Sequence, residues 1–354
     1  MRVAIIGAGF YGCSIALELV NDYPDIQIDL YEKGKDIFQG AASNNQHRIH
    51  KGFHYPRSNE TIEQILNNYQ SFKDKYADLI KPVKDNYYLI EKTSKVNLED
   101  YINKYKEFDV PFREVHNLEI SPFVDIDKIE GGISTTEEVI DLSLAYKYFK
   151  ERIMNSKNIS LKLKQNIEEI ENNKIEDEKY DFIINTTYSS PNLGIASKDK
   201  MFNLKYEICI IPIVENHFKE DICITIMDGK YVSAYQNGLG DLTLSSVSYT
   251  PYFKTVYHNE FINKLRRDLI HKDIVLKTHV NRLLMHCGEY FKGITLDTPI
   301  KKLYVAPKVK LKDDINDLRT TSIVRDGCTI SVLCGKISSI SSTYESVKRE
   351  IDGN

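Results

Sequence analysis

The apolar run Val3-Ala4-Ile5-Ile6 passes straight into glycines, which predicts a strand over residues 2–7 that is buried in a parallel sheet. Ile15, Ala16, Leu19 and Val20 then fall on one face of a helix predicted over 10–22, and a further apolar stretch predicts a strand over 26–32. Strand, helix and strand form a β-α-β unit. Its right-handed crossover sets the two strands side by side with their C-terminal ends facing one way. Residues 33–57 follow neither period and are rich in Gly, Ser, Asn and His. A stretch of that length without structure, inside a compact domain, points to function.

Helical spacing returns from Asn59 to Leu79, where Ile62, Ile65, Leu66, Tyr69, Phe72 and Tyr76 recur. A strand is predicted at Tyr87-Tyr88-Leu89-Ile90, a polar helix at 97–107, a short strand at 111–115 and a helix from Val139 to Met154. Three strand candidates occupy 159–185 and end in Phe182-Ile183-Ile184-Asn185. Four β-rich stretches then follow, at 208–214, 222–227, 231–235 and 242–247, with turns at Asp228-Gly229 and Asn237-Gly238. That alternation predicts antiparallel hairpins. Helices at 258–270 and 338–350 flank a last strand, Thr329 to Leu333.

Composition narrows the function class. The chain has 354 residues, 42% hydrophobic and 28% charged, as in ordinary globular proteins, and is long enough for one large core or two joined domains. With a net charge of -4 and no long Lys/Arg run, a general nucleic-acid or membrane-surface partner is not expected. The six cysteines are scattered, no apolar run is long enough to span a membrane, and no secretory segment precedes the first strand. A reduced, cytoplasmic protein acting on a small molecule is expected.

Gly7-Ala8-Gly9-Phe10-Tyr11-Gly12 sits between the first strand and the first helix, and Glu32 ends the second strand about twenty residues on. Each position has a task. Gly7 makes the tight turn, Gly9 lets the backbone approach a pyrophosphate, and Gly12 lets helix and strand pack closely. The helix start at Phe10 and Tyr11 offers free N–H groups and a positive dipole end to phosphate. Glu32, followed by Lys33, would accept hydrogen bonds from ribose hydroxyls and repel a 2′-phosphate, so FAD or NAD is expected and NADP is not.

Residues 40–57 contain three of the nine histidines, in the order Ser43-Asn44-Asn45-Gln46-His47-Arg48-Ile49-His50-Lys51-Gly52-Phe53-His54-Tyr55-Pro56-Arg57. With the glycine motif, this stretch resembles the D-amino-acid-oxidase-type FAD-dependent oxidoreductases, the superfamily of L-2-hydroxyglutarate and glycerol-3-phosphate dehydrogenases. There such a loop passes under the flavin ring. Val139-Ile140-Asp141 resembles the family's Val-Asp segment, and Asp181 to Asn185 its strand beneath the adenosine, although Thr186-Thr187 stands where Ala-Gly is usual. Cys334-Gly335-Lys336-Ile337 resembles the Gly-Lys turn over the flavin's pyrimidine side, and Arg319 stands where an arginine often receives a substrate carboxylate. The layout around Met227-Asp228-Gly229 is most similar to a branch found among bacterial surface-polysaccharide genes.

The resemblance implies an α/β fold: a discontinuous Rossmann-type FAD-binding domain (1–80, 139–200 and 296–354) and a second, mainly antiparallel β-sheet substrate domain (81–138 and 201–295). It implies FAD as cofactor. Expected contacts to FAD, beyond the glycine motif, Glu32 and Lys33, come from Ser43, Asn44, Asn45, Gln46, Arg48, His50, Thr186, Gly335, Lys336 and Ile337. Oxidation of a C–H beside a hydroxyl or amine needs a proton acceptor, and neutral histidine suits that task. His50 is the first candidate and His54 the second; a structural histidine is the alternative for each. His54, Tyr55, Arg57, Tyr231 and Arg319 are candidate substrate contacts. Helical spacing would bring His47, His50 and His54 to one side, but the Asn pair, Gly52 and Pro56 argue against a helix, so no metal site is expected. A redox-neutral flavin-dependent sugar mutase and a flavin-binding protein without turnover are the competing readings.

Overall fold

The structure is a computed structural model that describes residues 1–229, 231–237, 240–312 and 321–353, with the helix course alone for 269–275. Arg2–Ile6, Phe10–Asp22 and Gln27–Glu32 form the expected β-α-β unit, in parallel register with Val3 beside Ile28 and Ile5 beside Leu30. Ile159–Leu163 and Phe182–Asn185 add to its two sides, Thr329–Leu333 continues the parallel order and Ser322–Asp326 closes the edge antiparallel. Helices Phe10–Asp22, Asn59–Tyr76, Leu142–Asn155 and Ile340–Asp352 cover one face. Val3, Ile5, Ile15, Leu19, Leu30, Phe149 and Tyr344 share that core. Ala4, Ile6, Tyr31 and Ile183, which point the other way, pack with Ile175 and Tyr180. A strand alternates its side chains between faces, so both faces of this sheet must be apolar.

A second sheet of nine strands runs in the order Pro251–Thr255, Leu204–Val214, Leu242–Ser246, Val232–Gln236, Ile222–Met227, Asp85–Glu91, Ile129–Thr135, Phe112–Val115. Ile300–Leu311, the ninth, pairs antiparallel with Leu204–Val214 along its length. All pairs are antiparallel except Ile222–Met227 with Asp85–Glu91. Helices His258–Val275 and Lys277–Gly288 cover one face, where Ile208, Ile210, Ala234, Leu244, Phe261 and Leu283 are buried together. The alternate residues Glu207, Cys209, Ile211, Ser233 and Ser245 face a cavity. The period of two thus makes one face core and the other a wall.

Several elements differ from the sequence reading. The helix expected from Val139 begins at Leu142, because Asp141 caps it through Ser143 N–H at 2.9 Å and Leu144 N–H at 3.0 Å, while Glu138–Ile140 is a strand. Ile300–Leu311 escaped the reading because Lys and Pro interrupt its alternation, and by its pairing it extends the second sheet past residue 295. The strand Ile129–Thr135 was hidden by Gly131-Gly132, where a Cβ on Gly132 would stand 2.6 Å from the Tyr88 carbonyl oxygen. Helix Lys277–Gly288 and the edge strand Pro251–Thr255 were also not anticipated. Arg319 and Gly238 lie outside the described residues. Among the described residues no helix is long and apolar enough to cross a membrane.

Candidate functional site

Between the two sheets lies a cavity of about 1090 Å³. At one end stands the glycine turn. Gly7 has a φ of 103°, which a side chain would strain, and a Cβ on Gly12 would meet the Gly7 carbonyl oxygen at 1.9 Å. Gly9 differs: it is extended, and the nearest atom to an added Cβ is that of Ala42 at 4.0 Å, so its lack of a side chain leaves room for a ligand. The helix it precedes has no side-chain cap and no acidic residue in its first turn, so its leading N–H groups and positive dipole end are free for an anion. Phe10 is fixed by stacking on Phe38 at 4.4 Å.

Glu32 is buried, taking the Ala8 N–H at 3.0 Å and the Gly34 N–H at 2.7 Å on different oxygens, and it lines the cavity beside Lys33. Each carboxylate oxygen keeps acceptor capacity for a ribose hydroxyl. Thr186, at the end of strand Phe182–Asn185, donates its hydroxyl to the Ile6 and Gly7 carbonyls at 3.0 and 2.9 Å and so clamps the glycine turn. Its neighbour Thr187 presents to the cavity wall a buried hydroxyl with no partner among the described residues. A bare glycine, an uncapped helix end, a ribose acceptor and an orphaned hydroxyl on one wall fit an adenine dinucleotide.

The loop 40–57 forms the next wall. Arg48-Ile49 pairs with Glu138-Val139, which ties the loop to strands otherwise remote in sequence. Asn44, Asn45, Gln46, Arg48 and His50 line the cavity, whereas Ser43 does not and donates its hydroxyl to the Phe38 carbonyl. Arg48 is half-buried. Its fork reaches Thr225 Oγ1 at 3.1 Å, Gln46 Oε1 at 2.5 Å and Ser233 Oγ at 2.5 Å, and its plane lies 3.5 Å over the Tyr235 ring. No carboxylate lies within ion-pair distance of it among the described residues. His47 takes a left-handed backbone (φ 52°), turns its ring to the Ala42 carbonyl at 3.1 Å and is held down to a pKa of about 4 by burial. It therefore does not share a face with His50 and His54, and no cluster of three metal-ligating side chains occurs among the described residues.

His54 Nε2 lies 2.9 Å from the Tyr231 hydroxyl, and the His50 and His54 rings are 5.7 Å apart, each edge-on to Tyr55. Arg57 pairs with Asp228 at 2.7 Å; Asp228 is only 4% exposed and faces the cavity, while Arg57 is 59% exposed at its mouth. Gly335-Lys336-Ile337 completes the ring of walls. The Tyr11 hydroxyl donates to the Lys336 carbonyl at 2.6 Å, and the Lys336 ammonium sits 4.9 Å over the Tyr55 ring. Helix start, histidine loop and C-terminal turn thus meet at one place. Burial pushes the thiol of Cys334 there up to about 12, leaving it protonated.

Sequence reading missed the floor of the cavity. Lys308 and Lys310 hold the buried Glu207 at 3.3 and 3.9 Å, and Lys254 and Lys302 also line it. Alternation along Leu204–Val214 could have singled out Glu207; nothing local marks the lysines. Glu137, fully buried 4.0 Å from His50, was missed as well, its only signal being an acidic pair at a strand start. Around the cavity, eight Lys and Arg side chains face three carboxylates among the described residues, although the whole chain is net negative. Such a wall favours anionic contents.

The family model for FAD-dependent oxidoreductases of the DAO type matches residues 2–302. The FAD-dependent monooxygenase FPY4 of Fusarium mangiferae is 26% identical over 362 residues, covering 99% of this chain and 91% of that protein. Among solved structures, the L-α-glycerophosphate oxidase of Mycoplasma pneumoniae with FAD bound has a TM-score of 0.71 at 14% identity, covering 98% of this chain and 94% of the other. The glycine oxidase of Geobacillus kaustophilus has a TM-score of 0.69 at 13% identity, covering 100% and 95%. The match in fold spans both sheets, and the chain belongs to the DAO-type FAD-dependent oxidoreductase family, with FAD as its cofactor.

Proposed function

We propose that the protein dehydrogenates a small anionic or polar hydroxy or amino compound, with FAD bound along the glycine turn, Glu32, Lys33, Asn44, Asn45, Gln46, Thr186 and the Gly335-Lys336-Ile337 turn. When bound, the flavin supplies two-electron oxidation by accepting a hydride. The chain's residues do the rest. His50 takes the proton from the substrate hydroxyl or amine, and His54 with Tyr231 and Tyr55 orients the substrate. Arg48 holds its negative charge; a guanidinium already bound only by neutral partners retains its full electrostatic pull on a carboxylate or phosphate. The observation that carries the reading is the positive cavity wall that two histidines and a half-buried arginine share.

Anaerobic mixing of the yellow holoprotein with 2-hydroxy acids, amino acids, sugar acids and glycerol phosphate tests it. Bleaching of the flavin by a member of the panel is expected, together with formation of the matching carbonyl or imine. No bleaching across the panel would sink it.

A second reading rests on the relative from Fusarium, which is named a monooxygenase. It requires O₂ and places one of its oxygen atoms in the product. Turnover under ¹⁸O₂ separates the two: label in the product supports oxygenation, and label only in peroxide or water supports dehydrogenation.

A further inference from the structure

Glu137 stands behind the histidine loop and outside the cavity lining. Its side chain is fully buried. Oε1 takes the Lys51 backbone N–H at 2.6 Å, and Oε2 takes the Tyr88 hydroxyl at 2.5 Å and lies 4.0 Å from His50 Nδ1. Because Ile49 pairs with Glu138, the strand register itself sets Glu137 against the turn that carries His50. Burial pushes the carboxyl's pKa up, while the Tyr88 and Lys51 hydrogen bonds and the charges of Arg48 and Lys51 oppose that. Among the described residues, His50 is the one basic side chain within ion-pair distance of it.

A buried carboxylate held by two hydrogen bonds is costly unless a positive charge adjoins it. On the reading above, that charge forms on His50 as the reaction proceeds. We propose that Glu137 is a positioning residue: it fixes the His50 ring and stabilises the imidazolium formed when His50 takes the substrate's proton. The substrate O–H or N–H bond breaks and an N–H bond forms on His50. The electron pair of the adjacent C–H leaves as hydride to the flavin, and Glu137 stays a carboxylate throughout. The imidazolium returns its proton to water after product departs. The groups facing His50 include His54 and Tyr55 from its own loop, and Arg48, Lys51 and Tyr88 surround Glu137.

Glu137→Gln keeps the size and an acceptor oxygen and removes the charge. Histidine signals of ¹⁵N-labelled holoprotein, with His50 assigned by its loss in His50→Asn, give the imidazole midpoint without any substrate. In E137Q that midpoint is expected to fall by about one pH unit, since an opposite charge at this distance favours the charged form. Anaerobic flavin bleaching, driven by the hydroxy acid or amino acid that bleaches fastest, is expected to slow about tenfold. The acid limb of its pH profile should move down with the midpoint. Glu137→Asp, which retains the charge one methylene farther away, is expected to fall between, and carries the test if E137Q does not accumulate folded. A midpoint unmoved in both variants overturns the role, as does a slower rate without a moved midpoint. H50N bleaching at the wild-type rate would overturn the assignment of His50 itself, whereas an inactive H50N with an unmoved midpoint in E137Q overturns Glu137 alone.

Discussion

A Cβ placed on Gly12 would stand 1.9 Å from the carbonyl oxygen of Gly7 and 2.8 Å from Thr186 Oγ1, whereas one placed on Gly9 would touch nothing closer than 4.0 Å. Two glycines of one motif therefore carry different loads. Gly12→Ala is expected to destabilise the fold by about 1–3 kcal/mol or more, because the obstacle is backbone that cannot turn aside. Gly9→Ala is expected to leave the melting temperature of the apoprotein unchanged while weakening FAD, since the methyl group enters the space reserved for the ligand. Thermal melts and fluorescence titration of the apoprotein with FAD separate the two. Equal loss of stability in both variants would contradict this division.

Arg48 makes three hydrogen bonds to neutral groups and stacks on Tyr235, so a lysine cannot replace it. Arg48→Lys keeps the charge and loses the fork. With an anionic substrate, KM is expected to rise about 10- to 100-fold, the range corresponding to hydrogen bonds to a charged group. Arg48→Met should lose carboxylate-induced changes in the flavin spectrum altogether. Unaltered carboxylate binding in R48M would remove Arg48 from substrate recognition.

Much of the candidate cofactor wall is legible because its chemistry is local: glycine spacing, a helix start and an acidic strand end lie within the span from Gly7 to Glu32. The loop 40–57 stood out for want of periodicity, and its short strand Arg48-Ile49 was too brief to see. What escaped is what the sheet brings together from afar. Lys308 and Lys310 reach Glu207 only through the pairing of Leu204–Val214 with Ile300–Leu311, about a hundred residues apart, and Glu137 meets His50 through a similar pairing. Composition cannot reveal such meetings. The cavity's positive wall was likewise masked by a chain that is net negative overall.

Tyr231 and His54 meet at 2.9 Å from elements far apart in sequence, one beside the antiparallel sheet and one on the loop. Tyr231→Phe removes one hydrogen bond and keeps the ring that packs edge-on against His54 at 5.2 Å. A neutral hydrogen bond contributes about 0.5–1.5 kcal/mol, so KM is expected to rise roughly two- to tenfold with kcat little changed. A collapse of kcat at constant KM would place the Tyr231 hydroxyl at the reacting atoms instead.

His47 is buried, and its pKa is held down to about 4 by desolvation against an ordinary value near 6.5, with the Ala42 carbonyl only partly opposing that. Between those values the unfolded chain binds a proton that the folded chain refuses. Stability therefore falls as pH drops from about 6.5 toward 4 and is unaffected by this group above or below that window. The gap corresponds to about 3 kcal/mol. His47→Gln can still donate to the Ala42 carbonyl and does not titrate. Its denaturant midpoint should accordingly decline less than that of the wild type between pH 7 and pH 4. Parallel urea melts of both proteins at these two pH values measure the difference, and identical declines would show that His47 is not the acid-sensitive group of the loop.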